Sequence, residues 1–162
     1  MSDRKIHEIE PVFDRNSEIL ILGSFPSVKS REAGFFYHHP QNRFWKILSA
    51  LTGDDFLTDI EEKKHLLLKH HIAVWDVIAS CNIKGSSDSS ITDVLPADIG
   101  KIVRESKITK IFTNGNKADS LYKKYIYPDI KIEAIKLPST SPANAAYSLD
   151  RLLEEWRKIK IQ

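Results

Sequence analysis

A chain of 162 residues, 41% hydrophobic and 28% charged, suits one compact soluble domain over residues 1–162, and no stretch approaches the roughly 20 apolar residues of a membrane span. Its single cysteine, Cys81, excludes an internal disulfide and any cysteine-only zinc or iron–sulfur site, so no cofactor is expected. A formal net charge of +2 permits a nucleic-acid partner without requiring one, because such a partner needs only a local positive groove.

The opening MSDRKIHEIEP carries charge with no apolar run behind it, unlike a secretion signal, and predicts a cytoplasmic protein. Glu18–Leu22 predicts a buried strand ending in GSFPS, and Arg43–Leu51 predicts a helix with Phe44, Ile47, Leu48 and Leu51 on one face. Thr58–His70 predicts a second helix, with Thr58 as N-cap and Glu61 completing a capping box. Ile72–Ile78 reads as a strand running into CNIKGSSDSS, followed by a helix over Asp98–Glu105. A strand over Lys110–Thr113 precedes NGN, a helix covers Lys117–Tyr125, and a strand over Lys131–Leu137 precedes PSTSPAN. The closing helix, Ala145–Lys160, lines up Leu149, Leu152, Leu153 and Trp156 as a core-facing stripe. Strands alternating with helices predict an α/β fold, a parallel sheet covered on both faces, with the unusual loops gathered at the carboxyl edge where such sheets bind ligands.

Those loops hold the candidate chemistry. In GSFPS, Gly23 permits a sharp turn, Pro26 fixes one dihedral, and the backbone N–H groups around Ser24 and Phe25 can meet a base or a phosphate; a generic strand-to-loop turn reads equally well. GFFYHHPQNRFW sets aromatics that can stack on an unpaired base beside Asn42, an amide able to hold a water; the alternatives are core aromatics and Asn42 as a helix N-cap. His38 and His39 lack a third ligand, and no metal is expected. Asp76 is a carboxylate inside the apolar VWDVI, either paired structurally or aimed into a polar pocket as an acceptor. The KGSSDSSI stretch, with Lys84 and Ser89, offers phosphate contacts or merely a solvated loop. In LPSTSPANA, Ser139, Ser141 and Pro142 suit a phosphate clamp or wedge, with Asn144 alternatively an N-cap.

The order GSFPS, FFYHHPQNRFWKIL, VWDVIASC with SSDSSI, FTNGNKA and LPSTSPAN, spanning Glu18 to Trp156, resembles the uracil-DNA glycosylase superfamily. HPQNRFW is similar to the mismatch-specific uracil glycosylases, and GSFP together with STSPAN is most similar to the hypoxanthine (deoxyinosine) branch. The resemblance implies a three-layer α/β/α doubly wound fold with a short four-stranded parallel sheet. It further implies flipping of a deaminated base out of DNA, hydrolysis of its N-glycosidic bond and an abasic product, by a monomer working at the nucleoid.

Two positions depart from the superfamily pattern. Phe25 stands where relatives carry a catalytic Asp or a water-holding Asn, and Ser139 stands for the usual His or Asn of the second motif. The resemblance therefore transfers the catalytic role to Asn42. It matches Asp76 to the base-reading position and Tyr37 to the stacking aromatic, while Gly23, Ser24, Phe25, Pro26 and Asn114 would hold the base and its developing anion. Ser27, Lys84, Ser89, Ser139, Ser141 and Asn144 would meet the DNA backbone. A non-catalytic damage-binding module on the same fold, and a hydrolase of free nucleosides, are the rival readings. A zinc deaminase is disfavoured, since H-x-E with P-C-x-x-C is missing.

Overall fold

The computed structural model describes residues 4–54 and 59–161. Strands β1 (Arg4–Ile6), β2 (Ile19–Gly23), β3 (Ile72–Asp76), β4 (Ile78–Asn82), β5 (Thr92–Pro96), β6 (Lys110–Asn114) and β7 (Ala134–Leu137) form two sheets. The larger is four-stranded and parallel, in the order β3-β2-β6-β7, with Ile21 registered on Val74 to one side and on Phe112 to the other. Successive residues of a strand face opposite sides, so Ile21 and Leu20 enter different layers of core. On one face, helices α2 (Phe44–Thr52), α3 (Ile60–Lys69) and α7 (Leu149–Trp156) supply Phe44, Leu48, Leu67, Leu152 and Trp156. On the other, α4 (Ile99–Arg104) and α5 (Asn116–Leu121) supply Ile99, Ile102 and Leu121. The fold is thus three-layer α/β/α and doubly wound. The chain runs outward from β2 in both directions, which puts the topological switch point between β2 and β6.

The predicted boundaries move in several places. The apolar run 72–78 is not one strand: the chain leaves the parallel sheet after Asp76, where Val77 N–H donates to Gly23 O at 2.8 Å. β4 then pairs antiparallel with β1 and β5 in a three-stranded second sheet that the sequence pattern did not predict. The strand predicted from Lys131 starts at Ala134, because Lys131 is the left-handed C-cap of α6 (Tyr127–Ile130). Residues 122–126 continue α5 as a π-helical turn, extending the helical segment to Ile130. Thr58, the predicted N-cap, lies outside the described residues; Asp59 caps α3, its carboxylate accepting from Glu62 N–H. The closing helix begins four residues later than predicted, with Ser148 rather than Asn144 as its N-cap, and Val28–Ala33 forms a short unpredicted helix, α1.

Candidate active site

A cavity of about 300 Å³ opens at the carboxyl edge of the parallel sheet, at the lower end of the size range for small-ligand pockets. Gly23, Ser24, Phe25, Pro26 and Ser27 line it from the end of β2, Asp76 from β3, Asn114 from β6, and Ser139 and Ser141 from the loop after β7. Tyr37 and Asn42 close it from the segment before α2. Eleven of the residues given a site role by the resemblance therefore meet in one cavity, joined by Ser30, Phe36, His39, Ser86, Asp88, Thr140, Pro142 and Ala143. Lys84, Ser89 and Asn144 stand outside the lining. Among the described residues no group of three His, Cys, Asp or Glu side chains is arranged to hold a metal.

Gly23 and Asp76 are register partners at the ends of β2 and β3. A Cβ on Gly23 would lie 2.5 Å from Asp76 Oδ1 and 2.9 Å from the Tyr37 hydroxyl, so glycine is what lets these two polar atoms reach the cavity floor. Asp76 is 3% exposed, and its Oδ2 bonds His7 Nε2 at 2.7 Å. His7 Nδ1 accepts from the Ile9 backbone N–H at 3.3 Å. An N–H can only donate, so the ring proton of neutral His7 belongs on Nε2, which donates to the Asp76 carboxylate. Phe25, 8% exposed, meets the His7 ring edge-on at 5.9 Å and lines the cavity with hydrocarbon.

Tyr37 has a φ of 52°, a left-handed conformation that costs a non-glycine residue on the order of 1–3 kcal/mol. It is held there by its neighbours: the ring stacks on Phe44 with centroids 4.0 Å apart, and His38 N–H donates to Ser30 Oγ at 3.0 Å. One ring face is thereby occupied within the protein. The hydroxyl is buried with no hydrogen-bond partner of normal geometry among the described residues. Burial first, and the Asp76 carboxylate second, hold the phenol protonated well above its usual range, the nearby Asn114 amide opposing them.

Asn42 stands one residue before Arg43, which occupies the N-cap position of α2. Its Oδ1 accepts from Phe44 N–H, the first N–H of α2, at 2.9 Å, which satisfies that otherwise unpaired donor and fixes the amide orientation. Its Nδ2 makes no hydrogen bond to a described residue and remains available on the cavity wall. Asn114, by contrast, is committed at both ends of its amide: Nδ2 donates to Thr140 Oγ1 and Oδ1 accepts from Thr140 N–H, each at 3.1 Å. It ties β6 to the loop after β7.

That loop is clamped from a second direction. Arg43 donates from its guanidinium to the carbonyl oxygens of Thr140 (3.4 Å), Ser141 (2.9 Å), Asn144 (3.0 Å) and Tyr147. Within the loop, Ser139 Oγ accepts from Ser141 N–H and Ser141 Oγ from Ala143 N–H, so each hydroxyl keeps its own proton to offer an anion. Asn144 Nδ2 is spent on Ser139 O at 3.0 Å. On the opposite rim Ser24 Oγ donates to Asp88 Oδ1 at 2.9 Å. Asp88 is exposed overall, yet desolvation of its carboxyl at the cavity raises its pKa, with the Ser24 hydroxyl and Lys117 opposing and Asp76 adding to the rise.

Two of these residues carry no signal in the sequence pattern, and a third only a faint one. His7 sits in a charged stretch far from any motif. Arg43 reads as the first residue of an amphipathic helix. Asp88 is the lone acid in a serine run, and its isolation was the only available hint.

The family model of the uracil DNA glycosylase superfamily matches residues 10–160. A Methanosarcina acetivorans protein named hypoxanthine DNA glycosylase is 35% identical over 150 residues, covering 91% of this chain and 93% of that one. A Methanosarcina barkeri protein of the same name is 37% identical over 84 residues, about half of each chain (51% and 53%). A Methanosarcina acetivorans structure solved by solution NMR as a candidate uracil DNA glycosylase superposes with a TM-score of 0.78 at 31% identity, over 94% of this chain and 96% of that one.

Proposed function

The chain belongs to the uracil DNA glycosylase superfamily, and on that premise we propose that it is a monofunctional DNA glycosylase removing a deaminated base, hypoxanthine foremost and uracil or xanthine secondarily. The supporting observation is the pairing, in one base-sized cavity, of an inward amide at Asn42 with a buried carboxylate at Asp76. The names of the similar Methanosarcina proteins favour hypoxanthine among the three bases.

The target nucleotide leaves the stack at a cost of a few kcal/mol, smallest when it is mismatched. In the cavity, Asp76 Oδ1 accepts the N1–H of hypoxanthine, whereas adenine presents a lone pair at N1 and is repelled. As the glycosidic bond lengthens, charge develops on the base, and backbone N–H groups of the Gly23–Ser27 loop stabilise it. Asn42 is an amide and a poor base; its part is to hold the water that captures the oxocarbenium-like sugar, a gain from orientation rather than proton abstraction. No lysine is among the residues lining the cavity, which accords with hydrolysis to an abasic site in an intact strand. The hydroxyls of Ser27, Ser139 and Ser141 and the Lys84 ammonium hold backbone phosphates. The enzyme acts as a monomer at the nucleoid in the cytoplasm.

The test is release of free base from duplexes carrying inosine, uracil or xanthine. We expect fastest release from inosine and none from free nucleosides. Absence of release from all three duplexes rejects the glycosylase reading, and tight, salt-sensitive binding without release would favour a damage-binding module.

A further inference from the structure

We propose that His7, Asp76 and Tyr37 form one reading unit for the lactam edge of a deaminated base, in which His7 is the positioning residue. The proposal rests on the glycosylase reading and adds to it the groups that tell a deaminated base from its parent.

Deamination of adenine or cytosine converts an amidine edge, a ring nitrogen lone pair beside an amino group, into a lactam edge, a ring N–H beside a carbonyl. The complement of a lactam edge is one acceptor next to one donor. The floor of the cavity offers this pair. Asp76 Oδ1 and the Tyr37 hydroxyl both lie within 3 Å of the point a Gly23 Cβ would occupy, at 2.5 and 2.9 Å. No described residue donates to Asp76 Oδ1, and the Tyr37 hydroxyl is buried with no hydrogen bond of normal geometry to a described residue. A buried orphan hydroxyl is costly unless something completes it, and a base carbonyl would. Burial keeps Tyr37 protonated, hence a donor.

His7 makes the acceptor unambiguous. With Nδ1 taken by Ile9 N–H, its Nε2–H donates to Asp76 Oδ2, which fixes the carboxylate rotamer and leaves Oδ1 toward the cavity. The two side chains are 2% and 4% exposed, so water does not compete for this bond. The carboxylate oxygen turned to the cavity opposes the lone pair of adenine N1 or cytosine N3. Guanine shares the lactam edge, so the unit separates hypoxanthine from adenine and uracil from cytosine, and gives no discrimination between xanthine and guanine.

Binding is measured by fluorescence anisotropy on duplexes in which one 2′-fluoroarabino nucleotide, resistant to hydrolysis, bears either hypoxanthine or unsubstituted purine. Purine has the N1 lone pair and no oxygen at C6. Wild type is expected to prefer the hypoxanthine duplex by about tenfold or more. Asp76→Asn and Tyr37→Phe each shrink that ratio. His7→Phe shrinks it as Asp76→Asn does, while His7→Gln, which keeps a donor, restores most of it; far-UV circular dichroism verifies the fold of each. A wild-type protein without preference overturns the unit, and an unaltered preference in folded His7→Phe overturns the role of His7. If His7→Phe does not fold, unaltered preference in both Asp76→Asn and Tyr37→Phe overturns the proposal. A wild-type preference without base release from inosine sinks the glycosylase reading and leaves the reading unit standing.

Discussion

The Arg43 guanidinium donates to the Ser141 backbone carbonyl at 2.9 Å, joining the start of α2 to a loop 98 residues later in the chain. The same planar cation reaches three further carbonyls of that loop, at Thr140, Asn144 and Tyr147. Lysine carries the charge without the fork and cannot span four acceptors. Arg43→Lys is therefore expected to destabilise the fold by about 2 kcal/mol, the scale of charge-assisted hydrogen bonds, with a lower urea midpoint at unchanged slope. Because Asn42 is adjacent to the clamp, base release should also fall. An unchanged midpoint would show that the loop holds itself.

Asn42 can be divided into its two jobs by substitution. Asn42→Ala removes the Oδ1 that accepts from Phe44 N–H and is expected to cost about 1 kcal/mol, as loss of a side-chain bond to a helix N-terminus does. It also removes the amide on the cavity wall, and base release should drop on the order of 10²–10³-fold, as when a positioned polar group is deleted from an active site. Asn42→Asp keeps an acceptor for the Phe44 N–H, so its stability should match wild type while its turnover stays below it. Full turnover by Asn42→Ala would move the water-holding role elsewhere.

The sheet was legible because buried parallel strands are short apolar runs closed by turn residues, and Glu18–Leu22 and Lys110–Thr113 end within a residue of β2 and β6. The second sheet was not. β1 is three exposed residues, Arg4–Ile6, and β5 has no buried position, so neither has the apolar pattern that marks a strand. β4 was hidden because its apolar start runs on from β3 with a single residue, Val77, between them. The cavity residues were legible where an odd residue interrupts an apolar run, as Asp76 does, or where a loop is dense in Gly, Pro and Asn. His7 and Arg43 act through contacts 69 and 98 residues away, and nothing local marks such a partner. Asn114, read as a group for the departing base, is tied at both ends of its amide to Thr140, a contact that only the fold brings together.

Gly23→Ala should separate stability from activity. Its new Cβ would lie 2.5 Å from Asp76 Oδ1, and that carboxylate cannot swing aside without breaking its bond to His7. Overpacking of this kind costs about 1–3 kcal/mol, which lowers the melting temperature while leaving a folded protein. Base release should suffer far more, since the atoms displaced are those on the cavity floor. Wild-type release by a folded Gly23→Ala protein would mean that the base does not use this floor.

Asp88 gives a pH dependence with a definite sign. Desolvation raises its carboxyl in the folded protein above the ordinary 3.8, so ionisation opposes folding. The penalty is full above the folded pKa and gone below the unfolded value of 3.8. Asp88→Asn deletes the charge and keeps an acceptor for the Ser24 hydroxyl. Solvent screening of an exposed residue limits the gain to less than about 1 kcal/mol. Thermal melts should put Asp88→Asn above wild type at pH 7, with the gap closing as the pH falls toward 3.8. The reverse order at pH 7 would mean that Lys117 and Ser24 outweigh desolvation.

Lys84 stands outside the cavity lining, in a loop anchored beside it: Arg31 donates to Gly85 O at 2.6 Å, and Ser86 Oγ accepts from Val28 N–H at 2.9 Å. Lys84 is exposed and lies two residues before Ser86, which lines the cavity. In the proposed function Lys84 neutralises a phosphate and reads no base. Lys84→Ala should therefore weaken binding of lesion and undamaged duplexes by the same factor. The slope of log K against log salt should flatten by about 0.9, the release of one phosphate's counterion. An unchanged slope would place Lys84 off the DNA path. A loss confined to the lesion duplex would instead place its ammonium at the flipped nucleotide, because only a contact made after flipping distinguishes the two duplexes.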